Sequence, residues 1–153
     1  MSDESILARL QTEMVRCMKE KDAETLSTVR MLKTALMAAK TAKPKDATLG
    51  ADEEIEVLQR YVKNRREAIE MNVKVGRAEL NAAEEREIAV TQRFLPAPVS
   101  EDELAAIVKA AVISTGAAGP KEMGKVIGVV MAQVKGRAEG SAVSRLVKQA
   151  LGI

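Results

Sequence analysis

The chain has no histidine and no tryptophan, and only one cysteine, one tyrosine and one phenylalanine among its 153 residues. Without histidine there can be no Ser-His-Asp or Cys-His triad, no HExxH zinc helix and no imidazole general base. The lone Cys17 excludes an internal disulfide and a zinc or iron–sulfur site built from several cysteines. Two aromatic rings are too few for the stacking platforms of most single-strand RNA-binding modules. The composition therefore predicts no catalytic residues, no metal site and no cofactor.

The residues that are present describe an ordinary globular protein, with 46% hydrophobic and 30% charged side chains and a net charge of +2. The amino terminus carries acidic residues where a signal peptide would carry basic ones. The longest apolar stretch, residues 126–132, is far shorter than a membrane span. We therefore expect a cytoplasmic protein that has no membrane partner and works in a reducing compartment.

Apolar residues recur at spacings of three and four, and sustained strand-like alternation is nearly absent, so the sequence predicts an all-α fold. Four helices are expected in the first part of the chain, and Cys17 is expected in the core between them. Asp22 and Asn81 are candidate N-caps for the second and fourth helices. The predicted helices span about residues 2–20, 22–41, 52–75 and 81–94. An apolar stripe with Ile6, Leu10, Met14 and Cys17/Met18 is predicted for the first, and one with Ile55, Leu58, Val62, Ile69 and Val73 for the third.

The basic run Lys63-Asn-Arg-Arg66 suggests a nucleic-acid patch at first sight. Its cations have carboxylates four residues away, which is typical of a solvated, self-neutralising helix face. Arg65 is the exception, because it points toward the apolar side. It must either extend its guanidinium to solvent or meet a carboxylate of another helix.

A domain boundary is predicted at Phe94-Leu-Pro-Ala-Pro98, where two prolines stop the helix, and the capping box Ser100-Glu-Asp-Glu103 opens a new one. The N-terminal helical domain would span residues 1–95, with about four helices. A small three-helix C-terminal domain would span residues 96–153. The first part holds 17 basic and 17 acidic residues and the second holds 7 and 5, so the net positive charge lies in the second.

The most informative segment begins at Gly119-Pro120, the expected start of a helix that Gly136 ends. Two glycines, Gly124 and Gly128, lie on one face of this helix, opposite its apolar side. A helical glycine costs about 0.5–1 kcal/mol relative to alanine, so something is expected to approach the backbone closely there. That partner is either another helix, received in a smooth groove, or a polyanion held by the flanking lysines. The face comprises Lys121, Gly124, Lys125, Gly128, Ala132 and Lys135.

The turn Lys135-Gly-Arg-Ala-Glu-Gly140 follows, and Ser141 is a candidate N-cap for the last helix. A basic turn with glycines beside a helix N-terminus is a common arrangement for binding anions. The turn lacks the GxxxxGK[ST] spacing of a nucleotide-binding loop, so ATP chemistry is not supported.

The stretch from Met123 to Gly140, with Val143 and Val147-Lys148 after it, resembles the signature of the GatB/YqeY family. Residues 63–69, Gly76-Arg77 and Phe94-Leu-Pro96 are similar to the standalone YqeY-like branch of that family. The resemblance covers nearly the whole chain. It implies an N-terminal helical domain followed by a small three-helix C-terminal domain.

In that family the C-terminal domain is shared with the tail of the GatB chain of aspartyl/glutamyl-tRNA amidotransferase and is similar to domains appended to some glutaminyl-tRNA synthetases. There it contacts tRNA and does not perform the chemistry. The resemblance implies an accessory protein that binds tRNA or another structured RNA, with an aminoacyl-tRNA synthetase or an amidotransferase as the enzyme partner. The expected RNA-binding residues are Lys121, Gly124, Lys125, Gly128, Lys135, Gly136, Arg137, Arg145 and Lys148.

Two alternatives stay open. The glycine face could receive a helix of another protein, which would make the chain an interaction adaptor. The family association also suggests amide transfer, that is, a carbon–nitrogen ligase with glutamine as donor, although no nucleophile and base can be located in the sequence.

Overall fold

The structure, a computed structural model, describes residues 4–153, and within that range it contains seven α-helices and no strand. The prediction of an all-α protein is confirmed. The chain divides into two compact units, one ending at Leu95 and the other formed by Pro96–Ile153. The helices are α1 (Ile6–Glu20), α2 (Ala23–Thr41), α3 (Ala51–Lys74), α4 (Asn81–Gln92), α5 (Glu101–Thr115), α6 (Met123–Val134) and α7 (Gly140–Leu151).

Local capping signals set most of the helix starts in the first unit. The predicted start of α1 at Ser2 lies outside the described residues, and the helix begins at Ile6 because the Ser5 hydroxyl caps it. Asp22 caps α2 as predicted, accepting a hydrogen bond from the Thr25 amide at 3.2 Å. The prediction for Asn81 is wrong. A short 3-10 helix runs directly into α4, so Asn81 is already helical and its side chain accepts a hydrogen bond from the Asn72 amide group.

The first core lies between α1, α2, α3 and α4, and Cys17 is buried as predicted. Two predicted core residues are exposed instead: Met18 by 51% and Val73 by 60%. Met18 lies 100° around α1 from Cys17, and the last turn of α3 has no cover, since residues 73–80 are all exposed. The core is filled by Leu10, Val29, Leu32, Leu36 and Leu58, none of which reaches solvent.

Two charged side chains join helices in this unit. Arg65 of α3 meets carboxylates of α4, which is one of the two environments predicted for it. Its guanidinium lies 3.5 Å from Glu84 and 3.3 Å from Glu87. Glu54, which is 4% exposed, accepts hydrogen bonds from the amides of Ile6 at 3.2 Å and Leu7 at 2.9 Å. A carboxylate of α3 thereby satisfies the first amides of α1, which have no partner within their own helix.

The second unit is built from α5, α6 and α7. The Ser100 hydroxyl caps α5 as predicted, accepting from the Glu103 amide at 3.1 Å. Gly119-Pro120 opens a 3-10 turn, Pro120–Glu122, and α6 starts only after it. The Ser141 prediction is wrong, because Glu139 has the extended backbone of an N-cap and Ser141 already lies inside α7. The core is made mainly of Val126, Val130, Val134, Val143, Val147, Leu104 and Val108.

Candidate nucleic-acid interface

The outer face of α6 is bare. Gly124 and Gly128 are both exposed, and a methyl group added at either position would have no neighbouring heavy atom within 4 Å. Among the described residues, no other helix of the second unit therefore packs on this glycine strip, which we define as Gly124, Gly128 and the exposed Ala132. The strip is open to a partner from outside.

Lysines border the strip. Lys121 precedes it in the 3-10 turn, Lys125 follows Gly124 on α6, and Lys135 ends α6 with a left-handed backbone (φ 36°); all three are exposed. The next residue, Gly136, also has positive φ, at 84°. Glycine tolerates this conformation without a steric penalty, so Gly136 shapes the turn between α6 and α7 and is itself only partly exposed.

Arg137 is engaged inside the second unit. Its Nε donates a hydrogen bond to the Ala97 carbonyl at 3.0 Å, and its own carbonyl accepts one from the Val99 amide at 2.8 Å. Its guanidinium also lies 3.9 Å from the Glu103 carboxylate. Arg137 thus fastens the stretch that leads into α5 to the turn after α6, and only part of its hydrogen-bonding capacity remains for a ligand.

Arg145 of α7 forms an ion pair with Glu101 in the first turn of α5. Both predicted arginines therefore pair with α5 carboxylates. Lys121, Lys125, Lys135 and Lys148 occupy exposed positions, as does Arg145. The pairing was not evident from the sequence, because these partners are more than 30 residues apart.

Two further residues of this surface were not predicted from the sequence. Val129, beside Gly128, is 39% exposed and adds an apolar group to the lysine-rich face. Glu122 accepts the amide hydrogens of Ala118 and Gly119, and these hydrogen bonds hold the pKa of its carboxyl below its usual range. Glu122 follows Gly119 by three residues, which is the spacing of a capping box, and this pattern could have identified it from the sequence.

Metal ligands, membrane-spanning helices and the Cys17 thiol are the other features of the described residues that bear on function. In residues 4–153 no three His, Cys, Asp or Glu side chains are grouped as a metal ion would require. None of the helices formed by these residues is both long and apolar enough to cross a membrane. Burial raises the pKa of the Cys17 thiol, which keeps it protonated at neutral pH.

Comparison with known proteins identifies a family and a relative. Residues 7–151 match the family described as "Yqey-like protein". A protein of Pyrenophora tritici-repentis (strain Pt-1C-BFP), named "Altered inheritance of mitochondria protein 41, mitochondrial", is 30% identical over 154 aligned positions. That alignment covers 96% of this chain and 81% of the relative.

Proposed function

The chain belongs to the YqeY-like protein family, and from this premise we propose that it is an accessory protein that binds tRNA and has no catalytic centre of its own. The observation that carries the proposal is the exposure of Gly124 and Gly128 beside Lys121 and Lys125. Two unfavourable helical glycines on an uncovered face need an external partner to account for them. The adjacent lysines make a polyanion the partner with complementary charge.

In this proposal α6 contacts the sugar-phosphate backbone. The lysine ammonium groups neutralise phosphates, and the absence of side chains at Gly124 and Gly128 lets the strand approach the helix closely. The face offers no aromatic ring for base stacking, so recognition rests on charge and shape. Binding should accordingly weaken steeply as salt is raised.

The family resemblance extends the proposal to the organisation of the chain. Residues 1–95 and 96–153 would act as two domains, the second related to the tail domain of the tRNA-dependent amidotransferase. A chain with a net charge of +2 binds RNA weakly by itself. An aminoacyl-tRNA synthetase or amidotransferase partner would raise the effective concentration and supply the chemistry. We place this activity in the cytoplasm; the name of the fungal relative assigns that protein to mitochondria.

One observation favours the alternative of an interaction adaptor. The exposed Val129 gives the glycine strip an apolar neighbour, which suits a docked helix better than a phosphate. A third possibility, glutamine-dependent amide transfer by the chain alone, would need a nucleophile and base that we do not locate. An amidation assay with mischarged tRNA and the isolated chain should therefore give no product.

A filter-binding titration of the full chain against bulk tRNA tests the proposal. We expect binding at low salt that the double substitution Lys121→Gln/Lys125→Gln weakens. The matched control is Lys63→Gln/Lys74→Gln, which removes the same charge from exposed positions on α3. Absence of binding at low salt, or equal affinity of the two double variants, would contradict the proposal. If the Lys121→Gln/Lys125→Gln variant keeps its affinity for tRNA but no longer binds a partner protein, the adaptor function is favoured.

A further inference from the structure

The longest stretch of the chain without an acidic residue lies in the first unit, where the overall charge is balanced. Residues 25–45 contain five basic side chains and no acidic one. By comparison, residues 121–148 contain six basic and two acidic side chains over a longer stretch. Residues 1–95 contain 17 basic and 17 acidic side chains, and this balanced total conceals the segment because the acidic residues lie elsewhere in the unit.

On α2 the cations form a line. Arg30, Lys33 and Lys40 are spaced by three and seven residues, so they share one side of the helix over about 15 Å. Arg30 and Lys40 are exposed, and Lys33 is half-buried. The core residues Val29, Leu32 and Leu36 lie on the adjacent side of the helix, since Lys33 follows Val29 by four residues and Lys40 follows Leu36 by four. The cations therefore flank the buried face of α2, and Arg30 and Lys40 reach solvent from there.

These cations differ from several others of the unit in their pairing. Within the part of the chain that the structure describes, no ion pair engages the side chains of Arg30, Lys33 or Lys40. Lys43 shows the contrast, since its ammonium group binds the Glu53 carboxylate at 2.6 and 2.8 Å. The basic run of α3 also has carboxylates at helical spacing, whereas α2 has none in this stretch. The α2 line is therefore positive charge without compensation.

We propose that the cationic flank of α2, defined by Arg30, Lys33 and Lys40, is a second surface that contacts RNA phosphates. The inference rests on the proposed function, because it assigns a second contact surface to the same class of RNA. An RNA backbone matches a linear array of cations that has no base-reading aromatic groups. Two separate weak surfaces on one chain also supply the avidity that a net charge of +2 does not.

An anionic membrane is the competing polyanion, and the structure disfavours it. An interfacial helix inserts a broad apolar face into lipid. The apolar face of α2 is closed within the core, and the helix contains no aromatic anchor. Outside the core, the exposed large apolar residues of α2 are only Met31 and Met37, both about 40% exposed among the described residues.

The test measures tRNA affinity of the full chain over a series of salt concentrations. Three double variants each lose two charges at exposed positions: Arg30→Gln/Lys40→Gln on α2, Lys121→Gln/Lys125→Gln on the α6 face, and Lys63→Gln/Lys74→Gln on α3 as control. Circular dichroism checks that each is folded. We expect the α2 variant to bind several-fold more weakly, with the slope of log K against log salt reduced by about 1.5.

The outcomes separate the two proposals. If the α2 variant matches the α3 control while the α6 variant loses affinity, the second surface is refuted and the proposed function stands. If only the α2 variant loses affinity, the α6 interface is refuted and the second surface stands. The remaining outcome is lipid binding: if the protein does not bind tRNA but sediments with phosphatidylcholine–phosphatidylserine vesicles, and Arg30→Gln/Lys40→Gln abolishes that sedimentation, the RNA assignment is overturned.

Discussion

Replacing the two glycines of α6 by alanine should make the protein more stable while weakening its binding to RNA. Gly128 is the sixth of the 12 residues of α6, well inside the helix, and an added methyl group meets no atom within 4 Å. The full helix-propensity difference of about 0.5–1 kcal/mol should therefore appear as added stability. Gly124 lies in the first turn, so we expect a smaller gain there.

The sign of the change is the informative quantity. Had another helix packed on the strip, an inserted methyl would cost about 1–3 kcal/mol through overpacking. Calorimetry of the full chain can resolve the difference, since 1 kcal/mol shifts the Tm of a domain of 60–100 residues by about 4–8 °C. Ala132→Gly on the same exposed face is the control of opposite sign and should lower stability, by less than Gly128→Ala raises it because Ala132 lies in the last turn of α6.

The same variants are then titrated with bulk tRNA. The Gly124→Ala/Gly128→Ala protein should bind more weakly than the wild type although its melting temperature is higher. A lower melting temperature would refute the conclusion that the strip is uncovered. A higher one with unchanged affinity would leave the packing argument intact and refute close approach of the RNA backbone to α6.

Three further predictions concern single groups. Glu54→Gln removes the charge from the hydrogen bonds to the first amides of α1 and should lower the free energy of unfolding by about 1.5–3 kcal/mol in urea titrations; a change below about 0.5 kcal/mol would show that the cap contributes little. Tyr61, the single tyrosine, should ionise with a pKa of about 12 because burial and the nearby Glu87 disfavour the phenolate. The unfolded chain loses this proton near pH 10, so stability should fall as pH rises from about 10 to 12, and an ultraviolet titration midpoint near 10 would contradict the burial. Glu122 has a lower pKa in the folded state than in the unfolded chain, so its ionised carboxylate stabilises the fold at pH values above about 4.5. This stabilisation should be lost as pH falls below about 4.5, and Glu122→Gln should reduce the acid sensitivity seen in thermal melts. An unchanged acid profile would count against the capping role.

Features that depend on neighbours along the chain could be read from the sequence. Asp22 and Ser100 cap their helices because a side-chain oxygen reaches an amide three residues ahead. The buried side of α6 follows from apolar residues at spacings of three and four. The errors at Asn81 and Ser141 have a local cause as well, since each residue suits an N-cap but the helix had already started before it.

Features that depend on distant residues could not be predicted in the same way. Arg65 was expected to meet a carboxylate or solvent, but only the packing of α3 on α4 determined that Glu84 and Glu87 are its partners. Likewise Arg137 and Arg145 belonged to the predicted basic patch, and the fold brought them to carboxylates of α5. Charge counted along a sequence does not reveal which charges are compensated in space.

The sequence alone determined the helical class, most helix positions and the presence of a glycine-rich, lysine-bordered face, because periodicity and capping act within a few residues. Only the tertiary structure decided that this face is open, that Glu54 caps a helix 48 residues away, and that the cations of α2 lack partners while others have them. Exposure and ion pairing are set by which helices pack together. That packing is a property of the whole folded unit, and no local pattern records it.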